Sequence, residues 1–352
     1  MISLLLAAGV GFFFTLLVTP IAIRTLRKRN IGQFIQEDVA GHRHKRGTPT
    51  MGGVVMLAGV VLGFTVAHFR VFGFGSGFDL TVTRFTEPGG LAVFALLGMG
   101  LIGFLDDYIK YARKHNQGLT KKWKFGGQLL VAGLFAWGAQ AAGVSTQLSF
   151  VRPLGIDLGP ALYFLLVLFM LTATANAVNL TDGLDGLVAG STALVFGAYV
   201  LIAFWEFRNF DLYQVEGALD LAVFGAALAG TVLGFLWWNT APARIFMGDT
   251  GSQALGGALA ALALLTNTQL LLVILGGLYV LETASVIAQV VAFRGFGRRV
   301  LKMAPIHHHF ELKGWPETTV IVRFWILAGL MVAIGIGLFY ADFVTVTGGA
   351  TP

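Results

Sequence analysis

Residues 158–205 read LGPALYFLLVLFMLTATANAVNLTDGLDGLVAGSTALVFGAYVLIAFW, and this stretch decides the fold. Two charge-free apolar runs, Leu158 to Thr181 and Gly186 to Trp205, flank a short turn that carries Asp182 and Asp185. A hydrocarbon core of about 30 Å takes roughly 20 apolar residues in a helix, so each run predicts one transmembrane helix. The polar residues collect at the turn, where the two helices leave the bilayer.

The pattern continues in both directions. Met1 to Ile23, Gly47 to Phe69, Pro88 to Leu105, Phe125 to Val151, Leu221 to Ala243 and Phe324 to Ala341 are each one charge-free run of at least 18 residues. The run Thr250 to Leu281 is too long for one helix and breaks at Thr266-Asn267-Thr268-Gln269. Its second half continues past Glu282 to Phe293. Met1 to Ile23 lacks a basic start and is followed by Arg24, Arg27, Lys28 and Arg29, so it reads as a retained first helix rather than a cleaved leader. The expectation is an all-α, polytopic integral membrane protein in which residues 1–352 form a single ten-helix domain.

Composition agrees. Of 352 residues, 56% are hydrophobic and 12% charged, about half the usual charged share of roughly 25%, which excludes an ordinary water-soluble enzyme. With Cys 0 there are no disulfides, thiolate metal sites or cysteine nucleophiles, so a metal must be held by oxygen or imidazole. Alternate loops hold Lys and Arg very unequally. Arg70, Arg84, Arg152 and Arg208 lie on one side, and the other 20 of the 24 lie on the opposite side. The positive-inside rule makes the richer side cytoplasmic and puts both termini outside. Topology thus explains the net charge of +6 without nucleic acid.

Five polar motifs carry the candidate chemistry, and they sit at cytoplasmic helix ends. Asp106 and Asp107 close the third run in GFLDDYIK, with Lys110 next to them. Two adjacent carboxylates at a helix C-terminus face the negative end of the dipole and repel one another, a cost that a divalent cation or an accepted proton would relieve. In NAVNLTDGLDG, Asn179, Asp182 and Asp185 recur every third residue and would share one face if the segment opened a helix. Helix capping needs one such residue, not three. RIFMGDTGS opens the eighth span. Its Asp249 is either a simple cap or part of a phosphate and metal cradle at a helix N-terminus. It lacks the lysine and spacing of a P-loop.

PIHHHFE places His307, His308 and His309 in the longest cytoplasmic loop. Neighbours on a helix point about 100° apart, so the three cannot face one ion, and imidazoles binding phosphate or sugar oxygens are the alternative to plain solvated histidines. HKRGTPTMGG precedes the second span, where Lys45 and Arg46 suit membrane topology while Thr48, Thr50 and the paired glycines suggest a site. Glu282 is the only acid deep in a proposed span.

KRGTPTMGG, FLDDYIK, NAVNLTDGLDGL, RIFMGDTGS and MAPIHHHFELKGW, in this order on these spans, closely resemble the phospho-N-acetylmuramoyl-pentapeptide-transferase family of the polyprenyl-phosphate N-acetylhexosamine-1-phosphate transferase superfamily. The resemblance covers nearly the whole chain. It implies transfer of phospho-N-acetylmuramoyl-pentapeptide from UDP to undecaprenyl phosphate, forming lipid I and releasing UMP, with Mg2+ as cofactor. It also implies a homodimer in the bacterial inner membrane with a cytoplasmic active site.

Carried over by the same resemblance, Asp106 and Asp107 form the catalytic acidic pair, Asp249 is catalytic and ligates magnesium, and Asn179, Asp182 and Asp185 line the polar site. Phe246 matches a position that stacks on uracil. Lys45, Thr50, Lys110, Lys124, Asn239, Gly248 and Gln289 match substrate-binding positions, and His307, His308 and His309 match the substrate-binding loop. Direct attack by the lipid phosphate is the favoured chemistry, with Asp107 as the preferred proton acceptor and a covalent phosphoryl-aspartate as the alternative. Two rival functions are a sister transferase moving N-acetylglucosamine-1-phosphate and a transporter of anionic lipid or nucleotide. The histidine loop argues against the first, and the confinement of the polar motifs to one face argues against the second.

Overall fold

The computed structural model describes residues 1–29, 31–32, 47–73, 77–114 and 117–348. Its helices are α1 (Ile2–Lys28), α2 (Gly53–Val66), α3 (Glu87–Arg113), α4 (Lys121–Ala141), α5 (Gly159–Thr181), α6 (Leu187–Arg208), α7 (Phe210–Tyr213), α8 (Ala218–Asn239), α9 (Gly248–Leu265), α10 (Leu271–Leu275), α11 (Gly277–Phe296), α12 (Ile306–Glu311) and α13 (Glu317–Thr347). Strands β1 (Phe69–Gly73) and β2 (Gly77–Val82) pair antiparallel between α2 and α3, as do β3 (Gln147–Ser149) and β4 (Pro153–Asp157) between α4 and α5.

Among the described residues, seven helices are long and apolar enough to cross a membrane: α1, α3, α5, α6, α8, α11 and α13; α2 is a shorter apolar helix. A multi-pass helical membrane protein follows. The two hairpins correct the expected spans: the run Phe125 to Val151 is not one helix, since α4 ends at Ala141 and Gln147–Ser149 form β3, and α2 ends at Val66 so that Phe69 opens β1. The break expected at residues 266–269 is real, since α9 ends at Leu265. The second half of that run does not form one helix, however: Gly276 separates α10 from α11, and α11 then continues past Glu282 to Phe296.

Helix α9 is the axis of the fold. Every residue from Thr250 to Leu265 is buried, as expected of a helix that is apolar on all sides. Its Gly and Ala content lets neighbours approach closely, and α3 presses in until a Cβ on Gly103 would overlap the backbone carbonyl of Asp249. On the other flank, Gly256 meets the backbone of Ala175 in α5. With no water inside a bilayer, polar groups must be satisfied within the protein. The buried hydroxyls of Thr15, Thr19, Thr181, Ser191 and Thr192 accordingly donate to carbonyls one turn earlier, at 2.6–2.8 Å.

The far end of α9 is held by β3. The Ser149 N–H donates to Gln269 Oε1 at 3.0 Å, and the Leu270 N–H donates to the Ser149 carbonyl at 3.1 Å. At 1.5 Å rise per residue this end lies about 26 Å from Asp249. The hairpin and the acidic motifs therefore occupy opposite ends of the bundle.

Candidate active site

Asp106 and Asp107 are buried on α3, which runs on to Arg113. The two acids thus lie more than a turn inside the helix and not at its last residue, as the apolar run alone suggested. Lys110 follows one turn later. Its Nζ is 2.6 Å from Asp106 Oδ2, 3.3 Å from Asp249 Oδ2 and 3.9 Å from Asp107 Oδ1.

Helix α9 begins at Gly248 with no side-chain cap of its own. Its first turn is capped from across the bundle. Asp107 Oδ2 accepts from the Thr250 N–H at 2.9 Å and the Thr250 hydroxyl at 2.7 Å, and Oδ1 accepts from the Asp249 N–H at 3.2 Å. A carboxylate that is badly placed on its own helix is well placed at the positive end of another. Gly248 has φ +69, and a Cβ there would press on Asp107 Oδ2 and Thr50 Oγ1, so its left-handed backbone and lack of side chain are both used.

Asp249 is not a cap, because its side chain points at lysines. Lys124, in the first turn of α4, reaches Asp249 Oδ2 at 2.5 Å beside Lys110. Burial disfavours the Asp249 charge, but Lys124 and Lys110 outweigh it and hold the carboxyl below the ordinary carboxylate range. Asp106, Asp107 and Asp249 each offer one oxygen, all within 4.8 Å of one another. Three hard carboxylate oxygens without sulfur or imidazole suit a hard divalent cation, so the residues fit the expected metal.

The neighbouring motifs dock onto this centre. The Phe246 N–H donates to the Pro49 carbonyl at 2.8 Å, and the Gly52 and Gly53 N–H groups donate to the Phe246 and Met247 carbonyls at 2.9 Å each. That pairing carries Thr50 to Gly248 and leaves Phe246 half-buried at the rim. Asn239, at the end of α8, donates to the Ile245 carbonyl at 2.9 Å. Lys45 lies outside the described residues.

The NLTDGLDG turn differs from the one-face expectation. Asn179 is in the last turn of α5, Asp182 caps its C-terminus, and Asp185 sits in the turn before α6. Helix α5 ends there and α6 starts only at Leu187, so the three acquire separate roles. Asp185 is buried, and its Oδ2 accepts from the Ala243 N–H at 2.8 Å, tying this turn to the segment that leads into Gly248. Asn179 and Asp182 stay half-buried.

The histidines diverge, as adjacent residues on the short α12 must. His307 is fully buried with Nδ1 3.1 Å from Glu282 Oε1. His308 Nδ1 is 2.7 Å from Glu311 Oε2, and His309 Nδ1 accepts from the Lys302 N–H at 3.0 Å. Gln289 binds the backbone of residues 300 and 301.

Sequence reasoning missed a buried polar chain behind the acids. Gln253, one turn beyond Asp249, accepts from Gln128 at 2.8 Å, and Gln128 accepts from Asn176 at 2.9 Å. Two glutamines inside apolar runs were the available signal, since an amide in lipid needs a partner. Asn176 also lines an open groove of about 360 Å³ between α4 and α5, with Phe125, Leu129, Leu168, Phe169, Thr172 and Ala173. Phe125 directly follows Lys124, so one end of the groove lies on the same turn of α4 as the lysine that reaches Asp249.

This arrangement can be set beside known proteins. The Glycosyl transferase family 4 model matches residues 90–267, and the phospho-N-acetylmuramoyl-pentapeptide-transferase signature 1 matches residues 45–57. The phospho-N-acetylmuramoyl-pentapeptide-transferase of Frankia casuarinae is 50% identical over 363 residues, covering 99% of each chain. The chain belongs to the phospho-N-acetylmuramoyl-pentapeptide-transferase family. Enzymes of that name from Streptomyces griseus and Rhodococcus opacus are 48% and 47% identical, covering 97% and 99% of this chain and 98% and 99% of theirs. The Glycosyl transferase family 4 match contains Asp106, Asp107 and Asp249 but stops short of the histidine loop, whereas the pentapeptide-transferase signature includes Lys45 and Thr50.

Proposed function

We infer that this protein transfers phospho-N-acetylmuramoyl-pentapeptide from UDP to undecaprenyl phosphate, producing lipid I and UMP. The observation that carries the reading is the meeting of Asp106, Asp107 and Asp249 with Lys110 and Lys124 at one end of an apolar helical bundle. A soluble, anionic nucleotide sugar and a membrane-bound phosphate meet at such a boundary. The topology proposed is ten spans with both termini outside and the active site at the cytoplasmic face of the bacterial inner membrane. Charge distribution across the loops supports this orientation. A homodimer is proposed on the family resemblance.

Magnesium is the proposed metal, held by Asp249 with Asp106 beside it, and it would neutralise the diphosphate as a Lewis acid. Lys110 and Lys124 bring positive charge to the place where two phosphate groups must approach. A phosphate monoester, with its second pKa near 6, is mostly dianionic at pH 7, so its attack needs little help from a base. Any remaining proton goes to Asp107 Oδ1, which accepts one long bond from the Asp249 N–H at 3.2 Å where Oδ2 accepts two from Thr250. Phe246 receives the uracil ring, while Lys45, Thr50, Asn179, Asp182, Asp185, Asn239, Gly248 and Gln289 shape the nucleotide-sugar pocket. His308 and His309 meet the sugar phosphate from the loop side. The groove between α4 and α5 takes the first part of the polyprenyl chain, delivering its phosphate to Lys124.

The test is UMP release by the purified protein with undecaprenyl phosphate and magnesium, offering UDP-N-acetylmuramoyl-pentapeptide and UDP-N-acetylglucosamine separately. Release from the first alone, abolished by EDTA and in Asp249→Asn, is the expected result. Release from the second alone would assign the chain to the sister activity. Release from neither by a folded sample would reopen transport.

A further inference from the structure

One face of α11 carries three polar residues, two of which, Glu282 and Ser285, have no part in the reaction described above. Glu282, Ser285 and Gln289 are spaced at i, i+3 and i+7, which aligns them on one side of the helix. All three grip the same loop. Gln289 Oε1 accepts from the Val300 and Leu301 N–H groups at 3.1 and 2.9 Å, and its Nε2 donates to the Leu301 carbonyl at 3.0 Å. Ser285 Oγ accepts from the Ile306 N–H at 3.0 Å while donating to the Glu282 carbonyl at 2.6 Å. Glu282 Oε1 lies 3.1 Å from His307 Nδ1, with both side chains fully buried.

The contact between Glu282 and His307 is close but poorly aligned, and neither side chain has an aligned hydrogen-bond partner elsewhere. Each is therefore the other's main compensation in a fully buried site, where an uncompensated polar group is costly. The opposite edge of the imidazole is also packed, since a Cβ on Gly183 would overlap His307 Nε2. His307 is thus enclosed between α11 and the NLTDGLDG turn. Its ring packs at 4.2 Å and 60° against His308, which remains half-buried.

We propose that Glu282 and Ser285 are positioning residues: with Gln289 they form a polar rail on α11 that seats His307 and thereby presents His308 and His309 to the nucleotide sugar. His307 acts as the peg of this joint. The proposal rests on the reading of the histidine loop as a substrate-binding element, and its test separates the two.

Because the chain has no Cys, one spin label can be placed on the loop at the exposed Lys313 through Lys313→Cys. The full-length protein in nanodiscs is then compared with Glu282→Leu, Glu282→Gln and Ser285→Ala. Glu282→Leu should mobilise the label and raise KM for UDP-N-acetylmuramoyl-pentapeptide by about tenfold, with less effect on kcat. Glu282→Gln, which keeps an acceptor, should recover part of the loss, and Ser285→Ala should act in the same direction more weakly. Glu282→Leu combined with His307→Ala should cost little more than either alone, as for residues in one network. An immobile label and unchanged KM in both Glu282→Leu and Ser285→Ala would overturn the proposal, as would simple additivity of the double variant. A mobilised label with unchanged KM would support the rail and refute the substrate-binding role of the loop.

Discussion

Thr250 donates both its backbone N–H and its hydroxyl to the same oxygen of Asp107, at 2.9 and 2.7 Å. The bond pair joins the end of α3 to the start of α9 and so assembles the acidic centre from motifs distant in sequence. It also accounts for two adjacent acids on the C-terminal part of a helix, because the dipole that matters to Asp107 is that of α9. Thr250→Val keeps the backbone bond and removes the hydroxyl. UMP release should fall about tenfold, in line with the loss of a hydrogen bond to a charged group, while circular dichroism shows unchanged helix content.

Gly103 is the steric counterpart of that electrostatic joint. A side chain there overlaps the Asp249 carbonyl, so Gly103→Val should separate α3 from α9. A loss of about 2 kcal/mol is expected for overpacking of this kind. Thermal unfolding in detergent should show a lower Tm, and turnover should drop further than stability alone explains, because Asp107 and Asp249 move apart.

Lys124 and a divalent cation compete for the Asp249 carboxylate. Lys124→Ala should bind magnesium roughly fivefold more tightly, the equivalent of about 1 kcal/mol for a partly screened ion pair. Turnover should nevertheless fall, because the positive charge facing the incoming phosphate is lost. Calorimetric titration of magnesium into the substrate-free protein separates these effects, and weaker binding in the variant would contradict the competition.

The groove between α4 and α5 offers a test of lipid access. Ala173 lines it, so Ala173→Phe should fill the space and raise KM for undecaprenyl phosphate several-fold while leaving KM for the nucleotide sugar unchanged. An equal effect on both substrates would move the lipid path elsewhere.

The sequence alone determined the membrane-spanning, helical character of this protein and the identities of its chemical motifs. Long apolar runs report a hydrocarbon environment regardless of tertiary contacts, and clustered Asp, Lys and His at the run ends stand out against them. The five quoted motifs also sufficed for the family. Other features required three-dimensional packing. Whether Asp249 caps its own helix or faces Lys124 depends on which neighbour approaches α9, and no local pattern records that. The separation of Asn179, Asp182 and Asp185 followed from the end of α5 at Thr181, although their spacing was compatible with one helical face. Glu282 appeared in the sequence only as an acid inside an apolar run. Its partner His307 lies across a loop, and burial of the pair away from water makes their contact decisive.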